Sequence, residues 1–162
     1  MKKKLLIICL LSSCLIIASC GFKPIHKVSS NDQSFGSYTV EITNDVPREI
    51  NEAINSIIFS QKDENYKILL DIKEDLSPLI MNTNGTVAKY RIEVKIKYEL
   101  VQIDIDEVIS SGSAMGFAHY DVGASEINNE ETRKNMIKIA TKNALNIMIS
   151  RIQSKISGTN GY

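Results

Sequence analysis

The chain switches between segments with an apolar residue at every second position and segments with apolar residues at helical spacing. Residues 37–43 (SYTVEIT) show the first pattern, which predicts a short, half-buried strand. Residues from about 46 to 60 show the second and predict a helix, with Asp45 as a candidate cap and Pro47 in the first turn. The apolar stripe of this helix consists of Ile50, Ala53, Ile54, Ile57 and Ile58.

A second strand follows the first helix. Residues 66–75 (YKILLDIKED) alternate again, and a strand reached through a crossover helix is expected to lie parallel to the strand before it. Residues 76–85 (LSPLIMNTNG) predict a loop, because they contain a proline and an Asn-Gly turn signal. The apolar Leu79–Met81 in this loop either folds back onto the core or contacts a partner, and the sequence leaves both alternatives open.

The longest alternation occupies residues 88–106 and predicts a third strand. The apolar face of this strand ends at Leu100, where the phase slips by one residue, and such a slip predicts a bulge or a sharp twist. A turn over residues 104–107 leads into a fourth strand over residues 108–123, whose middle is rich in glycine and alanine.

The last segment predicts a second, long helix from Ser125 to about Lys155, capped by Ser125 or Asn128. Its apolar stripe consists of Met136, Ile137, Ala140, Ala144, Ile147, Met148 and Ile152. Two helices with one apolar face each, and a sheet with one charged face, form two layers. The sequence therefore predicts an α+β two-layer fold: an about four-stranded mixed sheet with two helices packed on one face, in the order β-α-β-β-β-α.

The amino-terminal segment predicts a secretory signal. Three lysines, an apolar run from Leu5 to Ile17 and two small residues precede Cys20. The run is shorter than the ~20 apolar residues of a membrane-spanning helix. Ile17-Ala18-Ser19-Cys20 resembles the bacterial lipobox, in which the cysteine is acylated and becomes the first mature residue. The alternatives are a lipobox at Cys14, which would leave three apolar residues on a soluble chain, and an ordinary signal peptide with an incidental cysteine.

These patterns divide the chain into four parts. We expect a lipoprotein signal peptide over residues 1–19, a lipidated tether over 20–36, a single domain over 37–157 and a flexible tail over 158–162. Removing residues 1–19 from the 162-residue chain leaves 162 − 19 = 143 residues, enough for one core.

Charge and cysteine usage exclude several classes of function. The loss of the three lysines of the signal changes 19 basic and 19 acidic residues to 16 and 19, a mildly acidic balance that favours no nucleic-acid partner. Cys9 and Cys14 leave with the signal, so we expect no disulfide, thiol nucleophile or cysteine-bound metal.

Candidate catalytic residues are few. His26 lies in the tether and His119 is alone on the fourth strand, without the spacing of a metal site. Asp104, Asp106 and Glu107 lack the glycine and the distant glutamate of a calcium loop, and we interpret them as a hydrated turn. We therefore expect a protein that is not an enzyme and has no cofactor or metal.

One cluster of charge is a candidate binding site. Lys89, Arg91, Lys95 and Lys97 project from one face of the third strand. Alternate residues of a strand lie ~6.6 Å apart, so two neighbouring cations can hold an anionic group such as a phosphate. A solvated face with cross-strand ion pairs is the alternative.

Several stretches resemble one family. CGFKP (20–24), SYTVEI (37–42), NGTVAKYRIEVKIKYEL (84–100) and the segment 112–152 are similar to the lipopolysaccharide-assembly lipoprotein LptE, in its alphaproteobacterial form. The most distinctive part is the passage from the fourth strand into the second helix, with Tyr120 and Ser125. The fold that the resemblance implies is a sheet of about four strands with two helices packed on it.

The resemblance also implies a function without catalysis. LptE proteins occupy the lumen of the outer-membrane barrel LptD, help it to assemble, and deliver lipopolysaccharide with it to the cell surface. The implied partners are LptD, lipopolysaccharide, and outer-membrane lipid that receives the diacylglycerol and N-acyl (palmitate) chains on Cys20. Gly21 occupies the position where an aspartate would retain a lipoprotein at the inner membrane. The resemblance therefore implies that the protein is anchored in the cell outer membrane, with the domain facing the periplasm or the barrel lumen.

The resemblance also makes Lys89, Arg91, Lys95 and Lys97 candidate contacts to lipopolysaccharide phosphates. The alternative is an auxiliary or ligand-binding lipoprotein of an envelope transport system.

Overall fold

The computed structural model describes residues 38–58 and 65–159. The chain divides into two units, residues 1–33 and 34–162, and all described residues belong to the second. The predicted signal peptide, Cys20 and the tether lie outside the described residues, as do residues 160–162 of the predicted tail.

Four strands and two helices make up the described domain. In chain order they are β1 (Tyr38–Ile42), α1 (Arg48–Ile57), β2 (Tyr66–Met81), β3 (Val87–Gln102), β4 (Glu107–Asp121) and α2 (Glu126–Thr159). The strands form one sheet in the order β1-β2-β3-β4. β1 runs parallel to β2, and the other pairs are antiparallel. The predicted fold class and element order are confirmed.

The first helix is shorter than the predicted span of about 46–60. It begins after Pro47, whose carbonyl accepts hydrogen bonds from the amides of Ile50 (3.1 Å) and Asn51 (3.3 Å). The prediction of Asp45 as a cap is wrong, because Pro47 occupies the cap position and no side chain caps the helix. Ile50 and Ile54 are buried in the core that the two helices share with the sheet.

The segment predicted as a loop, residues 76–85, belongs mostly to the β2–β3 hairpin. β2 continues to Met81, with register irregularities between Pro78 and Met81, and the turn is confined to residues 82–86. The missing N–H of Pro78 is tolerated because no other described strand pairs with the outer edge of β2 at this position. In the turn, Gly85 adopts φ +83°, and the Asn84 side chain accepts a hydrogen bond from the Thr86 amide at 3.1 Å.

The predicted irregularity after Leu100 is present. Leu100 pairs with Ser110 but Val101 pairs with Val108, so Ile109 is an extra residue on β4. β3 ends at Gln102 rather than near residue 106, since residues 103–106 form the turn, where Asp106 has φ +50°.

The core lies between the sheet and the two helices. Ser125 caps α2, accepting a 3.4 Å hydrogen bond from the Asn128 amide, and the helix continues beyond the predicted end at Lys155. Leu145 is buried, whereas the predicted core residue Ile147 is exposed. No helix in the described part of the chain is long and apolar enough to cross a membrane.

Candidate functional site

The face of the sheet that points away from the helices is a candidate surface, and no other described element covers it. Its side chains alternate with the buried core residues of the same strands, so its position follows from the period of two. Across the four strands it carries equal numbers of basic and acidic residues. The basic residues are Lys67, Lys73, Lys89, Arg91, Lys95 and Lys97, and the acidic residues are Glu41, Asp71, Asp75, Glu93, Glu99 and Asp121. We call this surface the open sheet face.

All four predicted cations lie on the open sheet face, but three of them have carboxylate partners. Lys89 lies 3.1 Å from a carboxylate oxygen of Asp121 on β4. Arg91 lies 3.6 Å from Glu93 on its own strand. Lys97 lies 3.8 Å from Asp71 on β2. These pairs are partly exposed and contribute little to stability individually.

Lys95 differs from the other three. It pairs in register with Lys73 of β2, and neither lysine makes an ion pair within the described residues. Side chains directly opposite on antiparallel strands have Cβ atoms about 4.5–5.5 Å apart, where like charges repel. An anion between the two ammonium groups would remove this repulsion, so Lys73 and Lys95 form the part of the face best suited to hold a phosphate.

Apolar side chains border this lysine pair. Met115 lies opposite Lys95 on β4 and is 44% exposed. Phe117, two residues along the same strand, lies under the guanidinium of Arg91, with 4.2 Å from the central carbon to the ring centroid. Cations and apolar surface side by side are what an amphiphile with phosphate groups requires.

Sequence patterns missed Lys73. It lies on the polar side of β2, as the alternation indicates, but its position opposite Lys95 depends on the register of the hairpin. That register is fixed by the turn at residues 82–86 together with the irregularities before it, and neither strand contains this information alone.

The apolar Leu79–Met81 lies at the far end of the hairpin. The three side chains are between 47% and 60% exposed, so they do not fold back onto the described core. The hairpin turn is fixed by hydrogen bonds between Asn82 and Thr86, including 2.8 Å from the Asn82 amide to the Thr86 carbonyl. An exposed apolar end on a rigid hairpin is a candidate contact surface.

The remaining candidate groups are dispersed. His119 lies on the open sheet face opposite Arg91, and Asp104 and Asp106 lie in the β3–β4 turn. Within the described residues no cluster of three or more His, Cys, Asp or Glu side chains is arranged to hold a metal ion.

Two of the described residues have shifted pKa values, and both lie away from the open sheet face. Burial raises the pKa of Tyr120 above its ordinary 10.0, and its ring stacks on Tyr90 with centroids 5.6 Å apart. Hydrogen bonds from Lys138, and then from Arg48, lower the pKa of Glu52.

Solved structures share this fold. Rare lipoprotein B from Shewanella oneidensis superposes with a TM-score of 0.56 at 11% identity, covering 76% of this chain and 98% of that one. An uncharacterized lipoprotein B from Nitrosomonas europaea superposes with a TM-score of 0.57 at 10% identity, and the match covers 76% of this chain and 85% of that one. A minor lipoprotein from Acinetobacter baumannii superposes with a TM-score of 0.51 at 10% identity, and the match covers 77% of this chain and 92% of that one. Identities this low show a common fold. No family model and no curated protein sequence matches the chain.

Proposed function

We propose that this protein is an outer-membrane lipoprotein that plugs and helps to assemble an LptD barrel, and that it takes part in delivering lipopolysaccharide to the cell surface. The observation that carries the proposal is the fold, which 76% of the chain shares with a protein named rare lipoprotein B. The lipobox at Cys20 and the resemblance of the sequence to LptE support it from a different direction.

The physical character of the domain suits this role. The helices and the sheet bury one continuous core, which makes a stiff two-layer body. The open sheet face is charged but balanced, so it tolerates the water-filled interior of a barrel. Several acyl chains on Cys20 would hold the body at the membrane, since one chain alone binds only marginally. The role needs no catalytic step and no cofactor.

Within this role, the open sheet face contacts the phosphates of lipopolysaccharide. Lys73 and Lys95 hold a phosphate between them, while Met115 and Phe117 lie against adjoining apolar surface. Lys89, Arg91 and Lys97 must first exchange a carboxylate partner for the ligand, so their individual contributions are smaller.

Affinity purification of the tagged full chain from outer membranes tests the anchor and the plug together. A heat-modifiable barrel protein should co-purify, and the product should carry acyl chains. Cys20→Ala should abolish acylation and the recovery of the barrel, whereas the matched control Cys14→Ala should retain both. An unmodified amino terminus, or a folded domain recovered without a barrel, would contradict the proposal. Depletion of the protein should lower the amount of surface lipopolysaccharide.

Lipopolysaccharide binding at fixed salt tests the phosphate contacts. The variant with Lys89, Arg91, Lys95 and Lys97 all changed to glutamine should bind more weakly than the wild type. Lys73→Gln combined with Lys95→Gln should weaken binding about tenfold or more, since hydrogen bonds to charged groups are the strong ones. The control is Lys134→Gln with Lys142→Gln on α2, which should bind normally. Unchanged affinity in both test variants would reject the contact between the open sheet face and lipopolysaccharide phosphates, but it would not contradict the proposed role in the barrel.

The alternative function, an auxiliary or ligand-binding lipoprotein of an envelope transport system, requires an apolar cavity, and the segment Gly112–Gly116 with the two helices is the candidate border of one. At Gly116 the helix fills that space, since an added Cβ would lie 2.0 Å from the carbonyl oxygen of Ala140. Co-purification with inner-membrane transport proteins, in place of a barrel, would favour this alternative.

A further inference from the structure

The outer edge of β2 carries strand backbone that no other described strand pairs with. β1 pairs with β2 only as far as Leu70, and the Asn44 side chain then bonds to the edge at Ile72. β2 continues to Met81 with β3 on its inner side alone. On β4, the other long edge strand, side chains of α2 donate to backbone carbonyls. We call the outer side of residues 73–81 the open β2 edge.

Every second residue of this segment has its backbone groups directed outward. The amide and the carbonyl of Ile72 both bond to the Asn44 side chain at the outer edge, so those of Glu74 and Leu76 point the same way. Pro78 is the next outward position and has only a carbonyl to offer. The open β2 edge therefore presents two amides and three carbonyls to one more strand, which would lie in line with β1.

The side chains beside the open β2 edge favour contact with a partner. Four large apolar residues are between 37% and 60% exposed: Leu76, Leu79, Ile80 and Met81. The Glu74 carboxylate lies 3.5 Å from Arg133 of α2, and this contact holds it on the helix side of the sheet. An unprotected edge is a template for pairing with another chain. Pro78 and the irregularities after it limit such pairing to a short stretch but do not close it.

Asp75 gives the open β2 edge a preferred sign of charge. It lies in register with Glu93 of β3, and like charges directly opposite one another destabilise a sheet. Glu93 lies 3.6 Å from Arg91, whereas Asp75 makes no ion pair within the described residues. An added strand would lie on the other side of Asp75, where a lysine or an arginine would compensate this carboxylate.

We propose that the open β2 edge binds an extended segment of a partner protein, which adds a strand to the sheet. The segment is about five residues long and free of proline, with an apolar side chain next to Leu76 and a lysine or an arginine next to Asp75. Backbone hydrogen bonds give strand addition its affinity, and alternate side chains give it specificity. A second copy of this chain matches less well, because it brings Pro78 within the same short stretch. The proposal goes beyond the role in the barrel and does not depend on it.

Peptide binding to the full chain in detergent tests the proposal. The probe is the end-blocked peptide Thr-Val-Lys-Val-Arg-Val-Thr, and the control peptide has proline in place of the central valine. At ten times its Kd, the probe should slow hydrogen exchange at the Glu74 and Leu76 amides about tenfold, and the control peptide should change neither. The Asp75 amide, which points to β3, is the internal reference. Unchanged exchange at about 1 mM probe would overturn the proposal.

Substitutions assign the binding to the open β2 edge. Leu76→Pro removes an outward amide without removing a hydrogen bond to β3, and it should weaken binding of the probe about tenfold or more. Leu76→Ala is the matched control, because it keeps the amide and should lose less affinity. Equal affinities for the wild type and Leu76→Pro would refute the site.

A charge exchange tests the same site without proline. Asp75→Lys should weaken binding of the basic probe and strengthen binding of the same peptide with glutamates in place of its lysine and arginine. If Asp75→Lys changed neither affinity, the partner strand would not lie beside Asp75 and the proposal would fail. Protection of the Glu74 and Leu76 amides that rises with protein concentration in the absence of peptide would identify a second copy as the occupant and would likewise overturn it.

Discussion

Gly116 marks the closest approach of α2 to the sheet. An added Cβ would lie 2.0 Å from the carbonyl oxygen of Ala140 and 2.5 Å from the amide nitrogen of Ala144. Both are backbone atoms of a buried helix, which cannot move aside as a flexible side chain can. The small residues at these three positions allow the helix backbone to lie directly on β4.

Gly116→Ala should therefore be strongly destabilising, by about 3 kcal/mol or more, because overpacking against backbone forces the layers apart. The measurement is the urea unfolding midpoint of the full chain. Gly123→Ala is the control, since an added Cβ there would meet only the Asn129 side chain at 3.5 Å. Similar midpoints for the two variants would show that the layers are not in contact at Gly116.

Tyr120 predicts how stability changes at alkaline pH. Burial raises its native pKa above the ordinary 10.0, so the unfolded chain loses this proton first as the pH rises. The contribution of Tyr120 to the free energy of unfolding is fully present below pH 10.0 and is lost as the pH rises through the native pKa of this tyrosine. Tyr120→Phe should thus flatten the alkaline limb of the stability profile. An unchanged limb, or phenolate absorbance that develops as in a free tyrosine, would contradict the burial.

At the scale of elements, Glu52 joins the two helices. Its carboxylate lies 2.6 Å from Lys138 of α2 and 2.7 Å from Arg48 of α1. These contacts lower the pKa of Glu52, chiefly through the hydrogen bond from Lys138. The contribution of the Glu52 carboxylate to the free energy of unfolding is complete above pH 4.5, its ordinary pKa. It disappears as the pH falls through the lowered native pKa.

Glu52→Gln should lower stability slightly at neutral pH, and this difference from the wild type should shrink as the pH falls through the lowered native pKa of Glu52. Urea midpoints across this range give the measurement. Glu49→Gln, on the same helix, should show a smaller pH-dependent difference. If the urea midpoint of Glu52→Gln stayed below that of the wild type in acid, the contact between the helices would depend on side-chain packing rather than on the charge of Glu52.

The elements that sequence patterns predicted well are those whose own residues decide their structure. β3 alternates from Ala88 to Leu100, and Ser125 caps α2 with its own side chain. β2 beyond Leu76 does not alternate and contains Pro78, so only hydrogen bonding to β3 makes it a strand. The opposition of Lys73 to Lys95 likewise depends on the register between two distant segments. Local patterns cannot contain that information.

At the scale of the whole molecule, the two edges of the sheet are protected differently. Side chains of α2 reach the outer edge of β4, where Asn143 donates to the Phe117 carbonyl at 3.3 Å and Arg151 donates to that of Ser113. On the other side, β1 pairs with β2 only as far as Leu70. Asn44 extends that pairing to Ile72, because the Asn44 side chain accepts a hydrogen bond from the Ile72 amide at 3.0 Å and donates one to the Ile72 carbonyl at 2.7 Å.

Beyond Ile72 the outer edge of β2 is open within the described structure. N–H groups of a strand alternate in direction, so the amides of Glu74 and Leu76 point outward as that of Ile72 does, while that of Asp75 points to β3. Amide hydrogen exchange on the full chain should therefore alternate, with Glu74 and Leu76 at least about tenfold faster than Asp75. Ile72 is the internal control: it should be protected in the wild type and exposed by Asn44→Ala. Slow exchange at Glu74 and Leu76 would mean that another strand covers this edge, and the open hairpin would then have to be abandoned.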